Sequence, residues 1–279
     1  STDVRVATAT QSVNLEDAFT FLQPVKTNIT GAESDRFYDL VLDTGGDYAV
    51  AAAGSGGVLI FNINSSTLIG DVEDVTNADQ LRELVDRNND GVDDRLVTRI
   101  QLPSGYYAVG VDLYFERNND RIFVTGVRPS SNSGDAKLFV YSVDDLDITS
   151  HTLINTLSLG SNLAKGITAQ NNQAIVALGE RGVGFVDMYL HSKLYLSQHI
   201  PLPGGRSALD VEPVLYFDQQ QQIYAAVGGT YDVASNRLTD RERVGAGGFH
   251  LIRNSTTSGL EVISSLDIPA SKVLVLSLI

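Results

Sequence analysis

Cysteine and tryptophan are both absent from the 279 residues, and methionine occurs once. Without cysteine there is no disulfide framework, no zinc–thiolate site and no thiol nucleophile. Positive charge is scarce as well: 20 Lys and Arg face 34 Asp and Glu, for a net charge of −14. A field of that sign repels nucleic acid and anionic lipid, so neither is an expected partner, while cations are favoured. Long apolar runs are missing; no stretch reaches the roughly 18 apolar residues that cross a bilayer, and membrane insertion is not expected. The chain opens on Ser1-Thr2-Asp3, where no signal peptide is read and a mature, processed or trimmed N-terminus would look the same, and closes in the apolar run Lys272–Ile279. That final run reads either as a strand closing a sheet or as the edge of a domain cut from a longer protein.

What is present is a repeated hairpin. Tyr48–Asn62 reads Y-A-V-A-A-A-G-S-G-G-V-L-I-F-N: an apolar run, a glycine-rich reverse turn and a second apolar run. The pattern returns at Gln173–Asp187, Q-A-I-V-A-L-G-E-R-G-V-G-F-V-D, with Gly54 over Gly179, Gly57 over Gly182, Val58 over Val183 and Asn62 over Asp187. Short apolar segments then sort into units of four strands. The first unit is Phe37–Asp43, the opening hairpin and Leu96–Leu102. The second is Tyr107–Phe115, Arg121–Gly126, Lys137–Val143 and Thr152–Leu159. The third is Ala164–Ala169, Gln173–Leu178, Val183–Met188 and Leu194–Leu202. The fourth is Leu209–Phe217, Gln222–Gly228, Gly248–Arg253 and Leu260–Ile268.

Taking Gly54, Gly126, Gly179 and Gly228 as equivalent gives intervals of 72, 53 and 49 residues, against about 40–50 for a propeller blade. The fold class is therefore all-β: a β-propeller of four-stranded blades, five in number with six as the alternative, in a single domain over 1–279. A β-sandwich would explain the strands but not the recurrence of one glycine-turn hairpin. The fifth blade is assembled from two N-terminal strands, Val4–Ala9 and Ala18–Val25, and the C-terminal Lys272–Ile279. The long first interval marks an insertion between blades at about 76–95: a helix over Asn77–Asp86, capped by Thr76 or Asn77, and an acidic loop.

The two hairpins, A-A-G-S-G-G-V-L-I-F-N and A-L-G-E-R-G-V-G-F-V-D, resemble the repeats of the LVIVD-type β-propeller family of bacterial surface and secreted proteins. The resemblance covers two clean repeats and two degenerate ones. It implies a fold and an extracellular or cell-surface setting, and carries no catalytic residues.

The densest chemical motif is Asp86–Asp94, D-R-N-N-D-G-V-D-D. It fits D-x-[DN]-x-[DN]-G, whose alternating carboxylates and amides suit Ca2+, a hard cation taking six to eight oxygens. Asp86, Asn88 and Asp90 supply side chains, Val92 its carbonyl, Asp94 a carboxylate, and Gly91 the sharp turn. Closely spaced carboxylates repel unless a cation neutralises them; the competing reading is a solvated acidic turn. The loop is similar to those of EF-hands, FG-GAP propellers and thrombospondin type 3 repeats. It departs from the EF-hand at Val97, where a bidentate Glu would stand, so the ion's role is structural.

The histidines His151, His191, His199 and His250 have no metal-ligand spacing, no G-x-S-x-G elbow occurs, and Gly54-Ser55-Gly56-Gly57 opens no helix that would bind phosphate. Carboxylates on the first strands of blades remain: Asp112, Asp210 and Glu212, with Arg206 as a ligand-binding candidate. First strands line a propeller channel, where acid–nucleophile pairs of glycosidases sit; plain hydration is the bland alternative. The expected function is a secreted or surface binding module, monomeric within a larger chain. It binds carbohydrate or protein through one propeller face and carries structural Ca2+. The alternative is a channel hydrolase, glycosidase or lactonase-like, so enzymatic activity stays open.

Overall fold

The structure, a computed structural model, describes residues 2–7, 12–19, 37–43, 47–63, 95–114, 120–129, 135–143, 150–170, 173–190, 193–218, 221–231, 242–255 and 259–268. The chain divides into two compact units, Ser1–Ile29 with Leu68–Asp94, and Thr30–Thr67 with Arg95–Ile279. The first contains β1 (Thr2–Ala7) and β2 (Ser12–Phe19), an antiparallel pair forming a two-stranded sheet of their own.

The second unit holds four four-stranded antiparallel sheets. Blade 1 is β3 (Asp39–Leu42), β4 (Tyr48–Ala52), β5 (Val58–Asn62) and β6 (Leu96–Ile100). Blade 2 is β7 (Tyr107–Tyr114), β8 (Asp120–Val127), β9 (Lys137–Val143) and β10 (His151–Ser158). Blade 3 is β11 (Ile167–Gln170), β12 (Gln173–Ala177), β13 (Val183–Leu190) and β14 (Lys193–Ile200). Blade 4 is β15 (Ser207–Asp218), β16 (Gln221–Tyr231), β17 (Glu242–Ser255) and β18 (Gly259–Ile268). In each blade the strands lie in chain order and every neighbour is antiparallel.

Burial decides between a sandwich and a propeller. Consecutive residues of β4, β5 and β8 are buried, so both faces of these strands are covered. The outer strands β10 and β14 are mostly exposed. A two-layer sandwich covers one face of each sheet; covering both needs a sheet on either side, as in blades stacked around an axis. The apolar seams follow that order. Val50, Ile60 and Ile100 of blade 1 meet Val111, Ile122 and Phe139 of blade 2. Phe123, Leu138 and Val140, on the other face of blade 2, meet Ile167, Val176 and Val186. Ile175, Phe185 and Leu202 meet Val211, Ala226 and Ile252. The architecture is a β-propeller, with β3, β7, β11 and β15 as the inner strands.

The two glycine-turn hairpins are superposable in detail. Gly54 and Gly179 have φ of 57° and 56°, and Gly57 and Gly182 have 81° and 80°. A side chain at Gly57 would run into the Ile100 carbonyl, and one at Gly182 into that of Ile200. Each hairpin also reaches the next blade: Gly54 exchanges both backbone hydrogen bonds with Ala108, at 2.9 Å each, and Gly179 does so with Ala208, at 3.1 and 2.8 Å.

Four expectations change. Gly126 and Gly228 are not turn glycines; they lie inside β8 and β16, paired in the ladder. The hairpin therefore repeats in alternate blades, not in every blade. The insertion lies within blade 1, not between blades, because it joins β5 to β6; its roots are tied where Asn62 N–H donates to the Arg95 carbonyl at 2.8 Å. The second N-terminal strand is Ser12–Phe19 rather than Ala18–Val25, since those residues pair antiparallel with β1. β1 and β2 form a separate sheet, and the other piece assigned to a fifth blade, Lys272–Ile279, lies outside the described residues. So does the helix and the whole loop Asp86, Asn88, Asp90, Val92 and Asp94.

Candidate functional site at the propeller axis

Three of the sequence candidates, Asp112, Asp210 and Glu212, come together with a fourth carboxylate, Asp39, on inner strands. Asp112 lies on β7, Asp210 and Glu212 on β15, and Asp39 opens β3. The charge of Asp210 is felt at Asp39, and those of Asp210, Asp112 and Asp39 at Glu212, so the group faces one axial space.

Two of these carboxylates pin one blade to the next. Asp39 accepts from its neighbour Leu40 N–H at 2.9 Å and, across the seam, from Val111 N–H of blade 2 at 2.9 Å. Asp112 accepts from Leu113 N–H at 2.8 Å and, across the next seam, from Ala169 N–H of blade 3 at 2.6 Å; the Thr168 hydroxyl adds a further hydrogen bond. Asp210 accepts from Val211 N–H at 3.0 Å. Among the described residues no hydrogen bond reaches the Glu212 carboxyl. Glycines let the inner strands close up: a side chain at Gly110 would strike the Lys165 carbonyl, and one at Gly166 would strike Asp210.

Enclosure by protein sets the electrostatics, although Asp39, Asp112 and Glu212 each keep some exposed area toward the axis. Burial pushes Asp39 up to about 7, opposed by the Val111 N–H and reinforced by the charges of Asp210 and Asp112. Burial likewise raises Asp112 to about 7 against the Ala169 and Leu113 N–H groups. Glu212 rises to about 8, first by burial and then by the charges of Asp210, Asp112 and Asp39. These carboxyls gain protons near neutrality. Among the described residues, no three His, Asp or Glu side chains converge as a metal site.

Arg206 follows a tight turn at Pro203–Gly205 on the loop into blade 4, and lies against Gly228 and Gly248. It belongs to the loop end, not the carboxylate group. The histidines are dispersed: His151 on β10, His199 on β14 and His250 on β17, where its Nδ1 is 2.9 Å from Ser265 Oγ. His191 lies outside the described residues.

Sequence reasoning missed Asp39, a lone acidic residue in an apolar strand with no motif around it. It also missed a second repeat that was available. Leu102-Pro103-Ser104-Gly105 matches Leu202-Pro203-Gly204-Gly205, Ala108 matches Ala208, and Asp112 falls on Glu212. The structure bears this out: β7 and β15 carry a bulge at the same place, after Ala108 and after Ala208. Blades 1–2 and 3–4 are two copies of one two-blade unit, the first lengthened by the insertion.

No protein-family profile and no curated protein matches the sequence. Solved structures that resemble it include the β-propeller domain of Myceliophteria thermophila Cps50 (Swd1), at 9% identity and a TM-score of 0.44, over 81% of this chain and 59% of that one. Raptor of Chaetomium thermophilum matches at 11% identity and a TM-score of 0.43, over 84% of this chain and 21% of that one. The chain thus spans about three fifths of the first and a fifth of the second. Likenesses this distant carry no argument about ligand or activity.

Proposed function

We propose that this propeller is an interaction module of a secreted or cell-surface protein, binding a protein or carbohydrate ligand through one face. The observation that supports it most is the use made of the axial carboxylates. Asp39 and Asp112 each hold an amide of their own strand with one oxygen and an amide of the next blade with the other, so both oxygens are engaged by the scaffold. The Asp86–Asp94 pattern supports a structural Ca2+ in the insertion, with Asp86, Asn88, Asp90, Val92 and Asp94 as ligands. Glycan and peptide arrays test the module reading: saturable binding without turnover is expected.

A second reading, a hydrolase, has one observation in its favour. Glu212 is raised to about 8 beside the charge of Asp210, the pairing of a protonated acid with a carboxylate that glycosidases use. Turnover of aryl glycosides or lactones that disappears in Glu212→Gln would establish the enzyme and sink the module.

A further inference from the structure

Charge is divided between the two ends of the propeller. The bridges Gly54–Ala108 and Gly179–Ala208 put the β4–β5 and β12–β13 turns at the same end as the loops entering β7 and β15. Antiparallel alternation brings the β8–β9 hairpin and the loop from β10 to β11 to that end as well. Its described cations include Arg128, Lys137, Lys165, Arg181 and Arg206, against Asp135 and Glu180. Among the described residues the opposite end holds Asp43, Asp47, Asp120 and Asp187 against Arg95, Arg121 and Lys193. A chain of net charge −14 therefore keeps a cationic surface at its turn-bearing end.

That surface is built, not merely charged. Tyr106 is buried and packs edge-on against Phe139 at 5.1 Å between centroids. The Arg128 guanidinium lies 4.5 Å above the Tyr106 ring, and Lys137 Nζ is 5.4 Å from it. Arg128 Nη1 is 3.6 Å from Asp135, and although its Nε is buried the side chain keeps 41% exposure. At the next seam Arg181 Nη1 donates to the Leu159 carbonyl at 2.7 Å. Around them Ser104, Gly105, Gly160, Pro203, Gly204 and Gly205 are exposed and small or rigid, so a partner's backbone can approach. A guanidinium held over a ring offers its exposed N–H groups to a carboxylate at little entropic cost.

We infer that this turn-bearing end docks an acidic polypeptide segment, with Arg128 on Tyr106, Lys137 and Arg181 receiving its carboxylates. The inference rests on the module reading and narrows it to one end and one ligand chemistry. The acidic end of the propeller does not cancel the attraction, because at physiological salt the screening length is about 8 Å.

Fluorescein-labelled poly-L-glutamate titrated into the intact protein, read by anisotropy, is the test. Saturable binding that weakens with salt is expected. Arg128→Gln combined with Arg181→Gln should weaken it about tenfold or more, while Lys193→Gln, which removes one cation at the other end, changes it less than about twofold. Melting curves check that the variants fold. Absence of poly-glutamate binding, or equal loss in Lys193→Gln, overturns the inference. Binding of heparin but not poly-glutamate also overturns it, in favour of a sulfated glycan, while leaving the module reading intact. Glu212-dependent turnover would remove the module reading whatever poly-glutamate does.

Discussion

Raising the pH from 5 to 8.5 takes protons from Asp39, Asp112 and Glu212 in the folded protein. Their folded values, about 7, 7 and 8, lie above the ordinary 3.8 and 4.5. Below about pH 4 both folded and unfolded chains hold these protons, and the stabilisation is complete. Between about pH 4 and 8 the unfolded chain releases them first, so stability falls as pH rises; above that window the contribution is gone. Each pH unit of displacement is worth about 1.4 kcal/mol, so Asp112 alone contributes on the order of 4 kcal/mol. The melting temperature should be higher at pH 5 than at pH 8.5, the reverse of an ion-paired carboxylate. Asp112→Asn should shrink that difference by roughly a third. A flat wild-type profile would contradict the axial burial. Glycine substitutions separate space from conformation. Gly110→Ala drives a methyl into the Lys165 carbonyl and should cost about 3 kcal/mol or more. Gly205→Ala meets nothing within 4 Å and bears only the strain of φ 67°, about 1–2 kcal/mol. Urea midpoints would rank the two.

At the scale of elements, the seams between blades differ in kind. The seam between blades 1 and 2 and that between 3 and 4 each hold a main-chain bridge. Between blades 2 and 3 the described links include side chains: Thr125 Oγ1 donates to the Lys165 carbonyl at 2.8 Å, Asp112 accepts from Ala169, and Arg181 Nη1 donates to the Leu159 carbonyl. Thr125→Val keeps the shape but strands a buried carbonyl, and should cost about 1–3 kcal/mol, with faster hydrogen exchange in β11. Strand positions were legible because alternation and turn glycines are local; all four blades match the apolar segments read from the chain. The insertion was legible in length, but its place was not. Strands separated by residues 63–95 pair as neighbours, and no local signal tells an interrupted blade from two blades. The axial group was half legible. Asp112, Asp210 and Glu212 follow from lying on first strands, whereas Asp39 depends on which blade β3 faces, a property of the assembled seam.

For the whole molecule, the tied ends of the insertion predict independence. Replacing residues 64–94 by a two-residue Asn-Gly turn should leave the melting temperature of the propeller within a few degrees, because the Asn62–Arg95 bond already closes the ladder. If Asp86–Asp94 binds Ca2+, chelator lowers a thermal transition in the intact protein and added Ca2+ restores it; the shortened variant loses that response. An intact chain indifferent to chelator and calcium would end the calcium reading. Leu40 and Leu42, at 59% and 55% exposure, stand on the flank of blade 1 that faces away from blade 2.

The paired bridges have a kinetic consequence. Main-chain bonds cannot be edited by substitution, whereas Asp112 and Thr125 can be lost in single steps and Asp112 is weakened by a change of pH. Each two-blade half is the natural cooperative unit of opening, and the line between residues 159 and 166 is where the molecule should part first under force or base. Hydrogen exchange would show it as an order of release. The Ala169 amide, held by a carboxylate, should exchange ahead of the Ala108 and Ala208 amides, and its lead should lengthen or shorten with the protonation of Asp112.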